Sequence, residues 1–151
     1  MKPPTSPPPH INSTESAPSI AFTVEVLGKT LGIFASVKGL EAMVDVLEYR
    51  EGGVNNLVHR LPGQVTYPNL VLAEGLTTKA VEEWFAKTQL GAERHTVTLT
   101  LLDHRGNPVR AWAFADAFPV RWAGPVLSAS STQIAAEELE LAHGGMTAME
   151  V

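Results

Sequence analysis

The sequence predicts a mainly β domain with a single α-helix. Between residues 95 and 102 apolar residues alternate with threonine, which is typical of a strand with one buried face. Turn signals built from glycine, proline and asparagine separate several such runs. One segment, residues 76–90, carries an apolar stripe at helical spacing, formed by Val81, Trp84 and Phe85.

The composition is that of one domain with a core. Of the 151 residues, 44% are hydrophobic and 18% are charged, the net charge is −5, and cysteine is absent. So few charges suit a protein that buries surface against copies of itself, and they suit an ordinary β-rich domain equally well. The acidic balance argues against a phosphate-binding surface. The lack of cysteine excludes disulfides, thiolate metal sites and cysteine nucleophiles.

Three segments are expected along the chain. Residues 1–19 contain six of the eleven prolines and many small polar residues, so we predict a flexible or extended arm there, followed by a domain over 20–145 and a tail over 146–151. The last residues, 144–151, are expected to be frayed. The N-terminus has no apolar segment of the secretory kind, and no apolar run is long enough to span a bilayer. We therefore expect a protein that stays soluble where it is made.

The first two strands are predicted on either side of a turn. Phe22, Val24 and Val26 alternate with polar residues, which indicates a half-buried strand. Gly28 marks a tight turn, and residues 31–37 return as the second strand.

Residues 39–63 form the most unusual stretch. Over residues 40–50 the alternation predicts a long strand, and one of its faces mixes acids with large apolar groups, which suits a surface shared between water and another subunit. Residues 52–63 are expected to be a loop that ends in a turn at Pro62 and Gly63. Residues 64–74 are predicted as a strand, at an edge or with a bulge because Pro68 cannot donate to a ladder.

The second half of the chain contains the helix and the remaining strands. Thr77 is the expected N-cap, with Leu76 and Val81 as a hydrophobic staple. A hairpin turn over 103–108 is predicted to join the strand over 95–102 to a strand over 109–117, which continues after a bend at Pro119. Over residues 132–143 the composition favours helix and a weak alternation favours strand, so the local pattern leaves both open.

The search for chemistry finds no motif of an enzyme. The five histidines lack metal-ligand spacing, and there is no nucleophile elbow, phosphate loop or dinucleotide fingerprint. The tryptophans at 84, 112 and 122 are expected as core or interface anchors, with an aromatic ligand platform as the alternative. We therefore predict no catalytic residue, no cofactor and no metal.

Several short motifs follow one another in a characteristic order over residues 20–145. They occupy residues 22–25, 28, 34, 37–41, 48–53, 61–63, 70–72, 84, 122–125 and 137–143. Their order and spacing resemble the inner tail-tube proteins of contractile phage tails and of phage-tail-like contractile injection systems. The proline-rich arm lies outside the resemblance.

The resemblance implies a β-sandwich or barrel-like tail-tube fold with one flanking α-helix. It also implies that residues 132–143 form a strand. Subunits of this family form hexameric rings whose sheets join into one β-barrel around a lumen. The rings stack into a tube inside a contractile sheath, and the tube delivers cargo through a target envelope.

The resemblance also implies partners and a location. The partners are copies of the chain itself, a sheath protein, baseplate or spike proteins and possible lumenal protein cargo, without a specific nucleic acid and without a membrane in the resting state. Assembly is expected in the cytoplasm, followed by incorporation into a phage tail or injection particle. The candidate subunit and ring interface consists of Gly39, Leu40, Glu41, Tyr49, Arg50, Gly52, Gly53, Leu61, Pro62 and Gly63.

Two other functions remain open from the sequence. The first is a tube-initiator or spike-adaptor of the baseplate with the same fold. The second is a monomeric β-barrel that binds a small molecule between its tryptophans, which no convergent set of polar residues supports.

Overall fold

The computed structural model describes residues 21–53, 57–91, 93–130 and 136–151. The expected arm over 1–19 lies outside these ranges. No helix in the described part of the chain is long and apolar enough to cross a membrane. The elements, in chain order, are β1 (Ala21–Val26), β2 (Lys29–Lys38), β3 (Met43–Arg50), β4 (Val58–Thr66), β5 (Leu70–Thr77), α1 (Lys79–Leu90), β6 (His95–Leu102), β7 (Pro108–Ala123), β8 (Glu137–Ala142) and β9 (Gly145–Met149).

Six antiparallel strands close into a barrel in the order β6-β1-β2-β5-β8-β7, because β7 also pairs with β6. Closure gives each of these strands a partner on both sides, which removes the free edges of an open sheet. The fold class expected from the sequence and the resemblance is confirmed.

The barrel interior holds the core. The alternating residues of β6 place Val97 and Leu99 inside, and β7 adds Phe114. Helix α1 lies against β2 and β7 and buries Val81 and Trp84. The helix is therefore attached to the outside of the barrel through the apolar stripe that the sequence indicates.

The chain end is a strand, so the expectation of a frayed segment over 144–151 is wrong. Strand β9 pairs with the first half of β7, from Ala115 opposite Gly145 to Ala111 opposite Met149. The reason is that β7 has 16 residues and β8 only six, so β8 leaves backbone groups along part of the β7 edge unpaired. Strand β9 forms hydrogen bonds with those groups.

Helix α1 begins later than predicted. Its N-cap is Thr78 and not Thr77, and Leu76 is 58% exposed, so no staple with Val81 forms. The reason is that Thr77 is the last residue of β5 and pairs with Gly32 of β2, which keeps this segment extended. The end of the helix at Gly91 is as predicted.

Two further expectations, both for the region before the helix, are wrong. The strand expected over 64–74 is two strands, because β4 ends at Thr66 and β5 starts at Leu70, with Pro68 between them. Proline has no backbone N–H to donate, and here it lies in the break and not at an edge or bulge. The loop expected over 52–63 is a strand from Val58 onward, so Pro62 and Gly63 lie within β4 and not in a turn.

The ambiguous segment over 132–143 is a strand in its described part, which confirms the structure that the resemblance implies. In β8, Leu139 and Leu141 are buried. Glu137 accepts a hydrogen bond from the Thr77 backbone N–H at 3.0 Å, and Glu140 accepts one from the Asn69 side chain at 2.8 Å. Pairing with β5 and β7 therefore outweighs the helix propensity of this stretch. Residues 131–135 lie outside the described residues.

The turn between β6 and β7 is built on Asp103, as the hairpin prediction requires. Its carboxylate accepts hydrogen bonds from the backbone N–H groups of Asn107 and Arg105, both at 2.8 Å. These bonds, that of Asn107 first, lower the pKa of the Asp103 carboxyl below its usual value of 3.8. Gly106 supplies the positive φ of the turn, at +82°.

Candidate assembly surface

Strands β3 and β4 form a two-stranded sheet that is separate from the barrel. All eight residues of β3 are exposed, and in β4 only Gly63 is half-buried. We call this unit, residues 43–53 and 57–66, the hairpin. An isolated two-stranded hairpin is marginally stable in water, so this one needs a further surface to pack on.

Both faces of the hairpin expose apolar side chains beside charged ones. In a strand, successive side chains point to opposite faces, and paired residues share a face. From the register, the first face, which we call the valine face, carries Val44, Val46, Val58, Pro62 and Val65, together with the charged Glu48, Arg50 and Arg60. The second face, which we call the leucine face, carries Met43, Leu47, Tyr49 and Leu61, together with Asp45 and His59. The large residues of both faces, Pro62 aside, are between 41% and 58% exposed.

The charged side chains of the valine face lie toward the turn, where Glu48 is opposite Arg60 and Arg50 is opposite Val58. Glu48 and Arg60 approach to 3.8 Å, and their side chains are 56% and 69% exposed. A surface ion pair of this kind contributes little to stability. Exposed large apolar side chains on both faces of one thin unit are typical of a surface that contacts other protein.

The base of the hairpin is fixed to the barrel by Gly39 and Leu40. Gly39 has a φ of +85°, and a Cβ at this position would overlap the backbone carbonyl of Asn69. Only glycine fits there, because both the backbone angle and the close approach exclude a side chain. Leu40 packs against the barrel core, whereas Glu41 is exposed. These residues set the direction in which the hairpin leaves the barrel.

The turn and the bulge of the hairpin depend on two other glycines. Gly53 has a φ of +119°, whereas Gly52 has no positive φ and no atom near its Cβ position. The register shifts between Val44 and Val46, and a Cβ on Gly63 would lie 2.9 Å from the carbonyl oxygen of Asp45. Gly63 therefore allows the strands to approach at the bulge.

The structure collects most of the candidate interface on one unit. Tyr49, Arg50, Leu61, Pro62 and Gly63 lie on its strands, and Gly52 and Gly53 lie in its turn. Sequence reasoning missed Val58 and Val65 of β4, because Pro62 and Gly63 interrupt the alternation between them. The pattern that could have predicted the strand is the pair Val58 and Val65, which lie on either side of Pro62 and Gly63. That these positions contact other subunits remains a prediction.

Two of the tryptophans and one histidine pack in or against the core. Trp84 is buried and donates its indole N–H to the Glu93 carbonyl at 3.1 Å, and Trp112 is in the core. The His143 ring packs edge-on against Phe114, with the ring centroids 4.8 Å apart. Within the described ranges, no group of three or more residues is arranged to hold a metal ion.

Comparison with known families gives one match over most of the chain. The family model of the T4-like virus tail tube protein gp19 matches residues 18–147. No curated protein sequence matches.

Solved structures with the same fold come from contractile injection systems. One chain from the PVC sheath–tube complex of an extracellular contractile injection system, in the extended state, is 27% identical, with a TM-score of 0.74, covering 97% of this chain and 100% of that chain. A chain from the tube-terminating cap of the anti-feeding prophage is 28% identical, with a TM-score of 0.71, covering 89% and 91%. A chain from the six-fold symmetrised baseplate of the anti-feeding prophage is 26% identical, with a TM-score of 0.64, covering 85% and 91%.

Proposed function

This chain belongs to the T4-like virus tail tube protein family, and we propose from that premise that six copies form a ring and that the rings stack into a hollow tube. It is a structural subunit of the inner tube of a contractile system, and it is not an enzyme. The baseplate that contains a similar chain is six-fold symmetrised, which supports the six-membered ring.

The observation that carries the proposed assembly is the hairpin, which exposes large apolar side chains on both of its faces. In a ring of identical subunits every contact is heterologous, so a surface on one subunit meets a different surface on the next. We assign the valine face and the leucine face to two different neighbours, one within the ring and one in the adjacent ring. No other strand of the described residues pairs with the outer edges of β3 and β4, so these edges are available for pairing with neighbouring sheets.

Eight of the ten residues predicted from the sequence have one of three roles in this assembly. Those on the strands of the hairpin make the contacts. Gly39 and Leu40 hold the base, and Gly53 allows the turn. The division of the chain into an arm over 1–19, a domain over 20–145 and a tail over 146–151 remains a proposal beside this, although β9 extends as far as Met149.

The similar chains suggest the partners. They come from a sheath–tube complex, a baseplate and a tube-terminating cap. We propose that this tube likewise lies inside a contractile sheath and ends at a baseplate and a cap, and that protein cargo passes through its lumen. The net charge of −5 would not retain nucleic acid in that lumen. Subunits would be assembled in the cytoplasm and incorporated into a phage tail or injection particle.

The test is electron microscopy of the particle that contains this protein. We expect stacked six-fold rings inside the sheath, with a copy number close to that of the sheath protein. One ring per particle would indicate a baseplate initiator, and a protein that never copurifies with sheath would contradict the proposal. Neither the initiator nor the ligand-binding barrel is favoured by the matches with tube proteins.

A further inference from the structure

A second apolar surface lies on the outer wall of the barrel, away from the hairpin. It is a groove of about 630 Å³ over β1, β2 and β5, continued by the residue before β8. Its apolar lining is Ala21, Ile33, Ala35, Gly75, Leu76 and Ala136.

Two large side chains dominate the groove. Ile33 and Leu76 are opposite each other in the β2–β5 register, and they are 52% and 58% exposed. The adjacent Phe34 is 1% exposed and faces the barrel core. Ile33 and Leu76 therefore contribute little to that core, and their outward apolar surface is available to another segment.

The chain itself supplies a segment that reaches this groove without a linker. Strand β1 starts at Ala21, and Ala21 is one of the lining residues. Residues 17–20 directly before it read Ala-Pro-Ser-Ile, and Ile11 lies further upstream. Four extended residues span at most about 14 Å, which places Ala17 and Ile20 within reach of the groove.

The composition of residues 1–19 lowers the cost of docking. Six of these residues are proline, and only Lys2 and Glu15 carry a full charge. Proline restricts the free chain, so less conformational entropy is lost when the segment is held in place. A proline-rich segment also lacks several backbone N–H groups, so it can lie on an apolar surface with few unpaired donors.

We propose that residues 11–20 dock in the groove of their own subunit, with apolar side chains of the segment against Ile33 and Leu76. Attachment at Ala21 favours the segment of the same chain, because a short tether gives an effective concentration in the millimolar range. The same segment of a second subunit, at micromolar concentration, would have to compete with this higher effective concentration. The docked segment covers an apolar strip of the outer wall before any ring forms, so this proposal does not depend on the tube function.

Disulfide trapping in the full chain tests the proposal. The protein has no cysteine, so an engineered pair forms the only possible disulfide. The test pair is Ala17→Cys with Leu76→Cys. The control pair is Ala17→Cys with Leu90→Cys, because Leu90 is 93% exposed at the end of α1 and lies outside the groove. Both pairs are oxidised mildly in dilute, unassembled protein and analysed by non-reducing electrophoresis and mass spectrometry.

We expect an intramolecular disulfide in the test pair to form at least about tenfold faster than in the control pair, because docking raises the local concentration of the two thiols. Equal rates in the two pairs would overturn the proposal. A covalent dimer through the test pair would overturn it as well, because the groove would then receive the segment of a second copy.

A deletion gives an independent measurement that needs no cysteine. Removing residues 2–20 should uncover the groove and increase the fluorescence of a bound apolar dye, and adding Leu76→Ser to the deletion should reverse most of that increase. In the full chain, Leu76→Ser should change dye binding little. Unchanged dye binding after the deletion would contradict docking.

Discussion

The substitution Leu47→Asp tests whether the leucine face of the hairpin is an assembly contact. Leu47 is 58% exposed in the single subunit, so a little more than half of its surface remains to be buried by a neighbour. Burying a whole leucine side chain contributes about 1.5–3 kcal/mol, so the exposed part contributes about 1–1.5 kcal/mol per contact. An aspartate there would also carry a charge into the contact, which costs several kcal/mol when it is unpaired.

The two losses together exceed about 3 kcal/mol per contact, which corresponds to a more than hundredfold weaker association. Because each subunit in a closed ring makes the same contact, the loss is repeated at every interface. We therefore expect Leu47→Asp to prevent tube formation when it is produced together with sheath and baseplate proteins. The stability of the single subunit should change by less than about 0.5 kcal/mol, since the side chain is exposed and outside the core.

The assay combines sedimentation and negative-stain microscopy of tubes with thermal unfolding of the free subunit. The matched control is Leu90→Asp, which makes the same chemical change at a position that is 93% exposed and outside the hairpin. The control should form tubes at the wild-type level. Normal tubes from Leu47→Asp would refute the assignment of the leucine face, and a large loss of thermal stability would show that the residue supports the fold instead.

Three further predictions address the turn, the barrel wall and the acidic turn residue. Gly53→Val should impair assembly, because a β-branched residue at a φ of +119° is strained by about 1–3 kcal/mol. The control Gly52→Ala should assemble normally. Tube yield measures both variants, and equal yields would refute the role of the turn. Gly75→Ala should lower the free energy of unfolding, measured by chemical denaturation, by about 1–3 kcal/mol, because its Cβ would lie 2.6 Å from a β2 carbonyl oxygen. The control Gly145→Ala meets nothing within 4 Å and should leave the free energy of unfolding unchanged. An unchanged value for Gly75→Ala would contradict the close packing of β2 and β5. The lowered pKa of Asp103 stabilises the fold above the unfolded value of 3.8, and this stabilisation is lost as the pH falls through the folded value. The wild type should therefore have a higher Tm than Asp103→Asn near neutral pH, and a difference that stays constant down to about pH 2 would contradict the charge effect.

The sequence could predict the elements whose pattern is local. Alternation identified β1 and β6, and the helical stripe identified α1 with its buried Val81 and Trp84. These predictions hold because the same side chains that define the period are those that the core buries. The turn at Asp103 was also readable, since an aspartate followed by glycine and asparagine provides its own hydrogen bonds.

Elements that form because of a partner distant in the chain could not be predicted from the local sequence pattern. Strand β8 has a helix-favouring composition and becomes a strand because β5 and β7 lie on its two sides. Strand β9 forms because the long β7 leaves an edge for it. The helix start moved to Lys79 because β2 holds the end of β5 extended.

Some features of the candidate assembly surface could likewise be predicted from the sequence, and others could not. The mixture of apolar and acidic side chains along residues 40–50, and the glycines in the stretch that follows, could be predicted from the sequence. Three other features became known only from the fold: β4 pairs with β3, both faces of this pair expose large apolar side chains, and the pair stands apart from the closed barrel. The physical reason is that exposure and pairing are properties of residues far apart in the chain, whereas a sequence pattern reports the period of one strand at a time.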